Sequence, residues 1–265
     1  MSNRISRIEN DVQDRNSPAW AKLCEYVDIV EREKRDEFSP LEFLGQDLYS
    51  QIYTLPQSIC KLKYVKKVWL YGSKLKQIPP EIGAMTSLEY FDPYTSYDLH
   101  WFPYEITRCR KLIDSRVSTR ALYGNFKNRM GFPRLADNPV RYFGENVCCS
   151  ICRKEMSYSQ TNQLWISLRV GTDVLPLLAN LCSKACETQL PEPPEGYLPF
   201  AHKGGSELKQ PTADEWDEFD EHHSEETADD IDHASTSETK EELMPDPELK
   251  RERTLIKFIR KIWER

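Results

Sequence analysis

The chain is poor in the residues that most enzyme reactions need. It carries five histidines and ten glycines in 265 residues. It contains no G-x-S-x-G elbow, no glycine-rich loop for cradling phosphate and no HExxH pair. His100, His202, His222, His223 and His233 are scattered, three of them within one acidic stretch. These gaps set aside hydrolase, nucleotide-binding and metalloprotease chemistry and point to a non-enzymatic protein. Long apolar runs are missing too, since none approaches the ~20 residues that span a bilayer. The opening stretch, MSNRISRIENDVQDR, is polar and has no signal-peptide core. The expectation is a soluble, cytoplasmic chain. In a reducing compartment its eight cysteines are more often thiols or metal ligands than disulfides.

Charge is distributed unevenly. The net charge is -7, yet residues 206 to 248 carry 17 Asp and Glu against two Lys. That stretch is nearly free of aliphatic side chains and cannot bury enough surface to offset its ordering entropy. A disordered acidic linker is expected over 206–246. The following DPELKRERTLIKFIRKIWER sets Leu255, Ile259 and Ile262 on one side among basic residues, so 247–265 is expected to be a basic amphipathic helix. Such a helix suits a partner's groove or an anionic membrane surface.

What is present is a repeat. Leu55-Pro56, Ile78-Pro79 and Phe102-Pro103 recur 23 and 24 residues apart. Behind the first follow Ile59, Leu62, Val65, Val68, Leu70 and Leu75. Behind the second follow Ile82, Met85, Leu88, Phe91 and Leu99, and behind the third Ile106, Cys109, Leu112, Val117 and Leu122. Ser115 stands where an apolar residue is expected, and Pro93 where the first unit has Leu70. This pattern resembles the leucine-rich repeat family in its LPxxIxxLxxLxxLxLxxNxLxx form, over residues 41–125. Ser73 stands in the place of the family's Asn, where its hydroxyl can still bond local backbone. The resemblance implies a short solenoid in which each unit lays one strand beside the next. No single repeat buries its own face, so the array needs caps. Residues 1–40 supply one candidate: Ser17-Pro18 reads as a helix start, followed by Trp20, Leu23, Cys24, Val27 and Val30 at helical spacing. Cys24 and Cys109 occupy apolar slots and read as core thiols; Cys60 reads as a surface thiol.

Residues 126–205 read as a linker followed by a cysteine module. Cys149 and Cys152 form a C-x2-C pair, with Cys148 as a competitor for the first place. Cys182 and Cys186 form a C-x3-C pair at an expected helix start. Between them, Trp165, Ile166, Leu168 and Val170 suggest a strand and Gly171-Thr172 a turn. This order of knuckle, hairpin and helix resembles a treble-clef zinc site. Four thiolates close a tetrahedral sphere, which makes the expected single Zn2+ structural. Free thiols in a packed module, and disulfides or a redox pair, stay open as alternatives. The expected fold class is thus α+β: a short solenoid with a helical cap, a small zinc module, an acidic tail and a terminal helix.

The resemblance also orients the strands. Residues between apolar slots project onto the concave face: Lys67, Trp69 and Tyr71, then Tyr90, Asp92 and Tyr94, then Asp114, Arg116 and Ser118. Aromatics among both charge signs suit recognition of a protein partner by an adaptor or scaffold. A nucleic-acid-binding zinc protein and a regulatory subunit of a ligase-type assembly are the alternatives. Nucleic acid is disfavoured, because no RNP-like, helix-turn-helix or C2H2 pattern is present.

Overall fold

The structure, a computed structural model, describes residues 13–125, 130–136 and 139–211. The acidic segment past residue 211 and the expected helix over 247–265 lie outside the described residues. Helix α1 (Pro18–Arg32) starts as its sequence dictates: the Ser17 hydroxyl accepts the Trp20 N–H at 3.2 Å, and Pro18 occupies a position whose N–H has no helical partner. Leu23, Tyr26, Val27 and Val30 form its buried stripe. The chain leaves through β1 (Glu37–Phe38), α2 (Pro40–Leu44) and α3 (Gln46–Tyr49). The last two helices are separated by Gly45 at φ 76, a left-handed value that suits glycine.

Three short 3-10 turns follow, Gln57–Lys61, Pro80–Ala84 and Tyr104–Arg108, each entered from an extended proline, Pro56, Pro79 or Pro103. Proline fixes φ and surrenders a donor that the turn's start does not use. Ile59, Ile82 and Ile106 point inward from the three turns, each 1 % exposed or less. Gly83 permits the close stacking of the second turn on the third, since a Cβ there would lie 2.4 Å from the Glu105 carbonyl oxygen. Opposite the turns run β2 (Lys67–Trp69) and β3 (Tyr90–Asp92). Then come β4 (Phe102–Pro103), which joins another sheet, and β5 (Asp114–Ser115). Strands β1-β2-β3-β5 make one parallel sheet, in which Phe38 pairs with Val68, Val68 with Phe91 and Phe91 with Ser115. The spacing seen in sequence therefore becomes lateral register, with Val68 and Phe91 buried side by side.

Small hydroxyls tie the units together where the strands turn. Ser73 and Ser96 Oγ atoms lie 2.6 Å apart, and Ser96 also donates to the Leu70 carbonyl. One unit further on, the Ser118 hydroxyl accepts the Thr95 N–H at 2.7 Å.

The cysteine segment contributes β6 (Asn146–Cys148) and β7 (Glu155–Ser157), an antiparallel pair, and a longer hairpin of β8 (Asn162–Val170) and β9 (Asp173–Leu181). Strand β9 pairs in parallel with β4, Phe102 facing Leu177 and Pro103 facing Leu178. This sheet, ordered β4-β9-β8, merges segments that the sequence suggested were separate. Trp101 and Trp165, both at most 2 % exposed, meet edge-on at 5.7 Å. The Trp165 Nε1–H donates to the Pro133 carbonyl, and its main chain exchanges hydrogen bonds with His202. All described residues fall within one unit, Met1–Asp220.

The hairpin tip also explains Ser115, the polar residue in an apolar slot. Its hydroxyl donates toward Asp173 Oδ2 at 2.8 Å, and its N–H toward Thr172 Oγ1 at 3.3 Å. The edge strand β5 is thereby covered instead of left open to pairing. The result is a mixed α and β architecture with few helices, and the described residues form no closed barrel. No helix among them is long and apolar enough to cross a membrane.

Candidate metal centre

The two cysteine pairs converge from different elements. Cys149 follows β6, and the chain turns back so that the Lys154 carbonyl accepts the Cys149 N–H and the Cys149 carbonyl accepts the Arg153 N–H. Arg153 takes φ 65 at this tight turn. Cys182 directly follows β9, and Ser183 then caps α4 (Lys184–Glu187), its hydroxyl accepting the Cys186 N–H at 3.3 Å. The extra residue of the C-x3-C spacing is thus absorbed by one turn of helix, which brings Cys186 back beside Cys182.

The Sγ atoms of Cys149, Cys152, Cys182 and Cys186 all lie within 4.8 Å of one another. Cys152 and Cys182 are 3.5 Å apart, and Cys182 and Cys186 3.6 Å. A disulfide needs about 2.05 Å, and all eight cysteines are free. Four thiolates around zinc at ~2.3 Å would sit about 3.8 Å apart at tetrahedral angles, so the observed spacing fits a metal and not a disulfide. Cys149 and Cys186 are buried and Cys152 is exposed, with Cys182 between.

Electrostatics point the same way. Burial opposes ionisation of Cys149, but N–H groups of Cys152, Ile151 and Cys182 converge on its sulfur and lower its pKa to about 6. Cys182 is pushed up to about 12, chiefly because it hydrogen-bonds as a thiol to Cys152 and also to Cys186. The protein alone therefore favours ionisation of Cys149 and opposes that of Cys182. A divalent cation would supply the charge that lets all four ionise. Cys148, the competing thiol, is exposed and outside the cluster; burial and then Glu155 raise its pKa. His202 is a buried core residue packed against Phe132, its pKa lowered to about 4 by burial, and it belongs to no ligand group.

The remaining cysteines follow expectation only in part. Cys109 is buried, with its thiol directed at the Ile82 carbonyl. Cys24 and Cys60 are both half-buried, so neither the core nor the surface description fits them fully.

The strand face presents most of its expected residues. Trp69 and Tyr90 rings lie 4.9 Å apart, and Tyr71 and Tyr94 rings 6.1 Å apart. The Arg116 guanidinium stands 4.4 Å above the Tyr94 ring. Lys67 pairs with Glu37, which also accepts the Trp69 indole N–H. Asp114 is exposed. Two residues turn inward and correct the expectation of a free polar surface. Asp92 is 2 % exposed because its carboxylate accepts the Tyr94 N–H at 2.9 Å and the Tyr90 hydroxyl at 3.3 Å, with Arg116 at 3.7 Å. Ser118 is buried because it bonds the Thr95 N–H. Both are turn-forming groups, which spacing alone does not distinguish from surface ones.

One buried network was missed in sequence. Glu105 is 2 % exposed and accepts a hydrogen bond from the Ser150 hydroxyl at 2.7 Å. Burial pushes its carboxyl up to about 7, against the opposing pull of that hydrogen bond. Its signal in sequence was a single acidic residue at a turn start, indistinguishable from a solvated Glu.

No family model matches the chain, and no curated protein matches it.

Proposed function

We propose that the chain is a leucine-rich repeat protein that recognises another protein through its strand face, with one structural zinc ion at the cysteine end. The repeat reading is supported by three proline-led units whose equivalent strand positions fall in lateral register, Val68 beside Phe91 beside Ser115, with Phe38 of β1 extending the row on the N-terminal side. In this reading α1 forms the N-terminal cap, and the cysteine module follows the last unit. The zinc reading is supported by the four-sulfur spacing. Cys149, Cys152, Cys182 and Cys186 would hold the ion, and four sulfur ligands fill its sphere, which is why the ion is assigned structure and not catalysis.

The observation that carries recognition is the row of aromatic side chains on the strand side. Tyr71 and Tyr94 remain 40 % and 37 % exposed although their rings neighbour each other, and Arg116 lies over Tyr94. Rigid aromatic rings beside an arginine offer much contact area at low entropy cost. The partner that fits is a protein surface that presents apolar side chains flanked by an acidic group for Arg116.

The test replaces Tyr71 and Tyr94 together with alanine in the full chain and compares affinity purifications from lysate of the source organism. The same interacting proteins should be lost while the melting temperature stays within a few degrees. An unchanged set of recovered proteins at unchanged yield would reject the strand face as the binding surface.

A further inference from the structure

Ser150 sits between the ligand candidates Cys149 and Cys152 and is 3 % exposed. Every one of its polar atoms is engaged, and none with its own loop. Its N–H donates to the Asn180 carbonyl at 2.6 Å, and its hydroxyl accepts the Asn180 N–H at 2.9 Å. The same hydroxyl donates to Glu105 Oε1 at 2.7 Å. Its carbonyl accepts a hydrogen bond from Arg108 Nη2 at 2.7 Å. Asn180 stands two residues before Cys182 on β9. Glu105 and Arg108 belong to the third 3-10 turn, Tyr104–Arg108. One serine therefore joins both cysteine loops to the last of the stacked turns.

We propose that Ser150 couples metal loading of the cysteine centre to the ordering of the third 3-10 turn, with Glu105 and Arg108 acting as positioning residues for the metal. The inference rests on the metal reading of the four cysteines. The Ser150–Asn180 pair ties the first loop to the second, so order in one cysteine pair is passed to the other. Glu105 in turn holds the Ser150 hydroxyl in the rotamer that faces Asn180. Glu105 itself has little room to move, because its carbonyl is pressed against Gly83 of the preceding turn. The β4–β9 pairing, two residues before Glu105, supplies a second, main-chain tie between the same elements. The Glu105 Oε2 and Asn180 Nδ2 atoms are buried with no protein partner among the described residues. The network thus already carries unsatisfied buried polar groups, and removing a further partner from it is costly. Coupling of this kind is reciprocal: a metal that stabilises the turn is itself bound more tightly by the ordered turn.

The test has two readouts on the full chain. First, zinc affinity is measured by competition with a chromophoric chelator, and cobalt is substituted to record its ligand-field spectrum. Groups that orient metal ligands usually change affinity by about 10–100-fold when removed, so Ser150→Ala and Glu105→Ala should each weaken zinc by about tenfold or more and alter the cobalt spectrum. Glu105→Gln keeps the acceptor oxygen and should restore both. Second, hydrogen exchange of the wild-type protein, which needs no variant to fold, should show zinc protecting residues 102–109 together with the cysteine loops. Zinc bound equally by all variants, or protection confined to the cysteine loops, overturns the coupling and leaves the metal reading intact. A wild-type chain that binds no metal overturns both.

Discussion

From Leu55 to Leu122 the chain is held by repetition, whereas from Asn146 to Glu187 its loops are held by a few singular contacts. In the first region each unit buries the same kinds of side chain in the same slots, as Ile59, Ile82 and Ile106 do. Its polar turns are satisfied locally by Ser73, Ser96, Asp92 and Ser118. In the second, β6 and β7 have three residues each and α4 has four. Elements this short bury too little to persist alone. They depend on the four-sulfur cluster and on the ties to the third turn. Periodic burial tolerates local imperfection, and Ser115 and Pro93 show that it does; a cluster of four converging sulfurs does not.

The sharpest break in that comparison comes from Cys182→Ser. It should abolish zinc binding and open the loops around 146–157 and 182–190 together with the third turn at 102–109, while β8 and β9, anchored by Trp165, and the first two stacked turns keep their exchange protection. Structural zinc sites contribute on the order of 10 kcal/mol to the folding of small zinc domains, so this is the largest effect expected. Loss of protection across 55–101 as well would show that the two regions are not energetically distinct.

Trp165→Ala acts at the junction. The side chain is fully buried against Trp101 and Tyr123, and truncation of a buried aromatic costs about 3–5 kcal/mol. Chemical denaturation should show this loss in the zinc-loaded and zinc-stripped protein alike. A loss confined to the loaded form would mean that the hairpin belongs to the metal centre and not to the shared core.

Glu105 gives a dependence on pH. Its folded pKa of about 7 lies above its ordinary value of 4.5, so the folded state binds the proton more tightly than the unfolded one. Stability from this group is fully present below about pH 4.5 and is lost as pH rises toward 7. A shift of this size corresponds to roughly 3 kcal/mol. Glu105→Gln should therefore gain stability relative to the wild type between pH 5 and 7.5 in thermal melts. A difference that stays constant across that range would show that Glu105 is ionised in the fold throughout.

The smallest expected effect on stability belongs to the strand face. Tyr94→Ala should change stability by less than about 1 kcal/mol, since the ring is exposed, but weaken the partner by roughly 1–3 kcal/mol. Calorimetry and binding to the purified partner separate the two. A large loss of stability with binding intact would make the ring a packing element.

Much of the first region was legible because its information is periodic. A residue every few positions announces its slot, and the proline before each turn marks the start. The C-x2-C and C-x3-C pairs were legible for a different reason: thiols are rare and their spacing carries geometry. The polar exceptions were not legible. Asp92 and Ser118 look like surface residues in a list and are inward because each satisfies a main-chain N–H at a turn. Glu105 and Ser150 are 45 positions apart, and no local pattern announces a bond between them. The pairing of β4 with β9 is equally non-local, which is why the boundary near residue 125 read as a division between domains.

The most direct test of the whole account is the metal content of the purified full-length protein, measured by inductively coupled plasma mass spectrometry alongside thiol titration. About one zinc per chain is expected, lost in Cys182→Ser, with Cys149, Cys152, Cys182 and Cys186 shielded from alkylation until a chelator is added. A metal-free protein with all four of these thiols reactive, and with a melting profile that zinc and chelator leave unchanged, would contradict it.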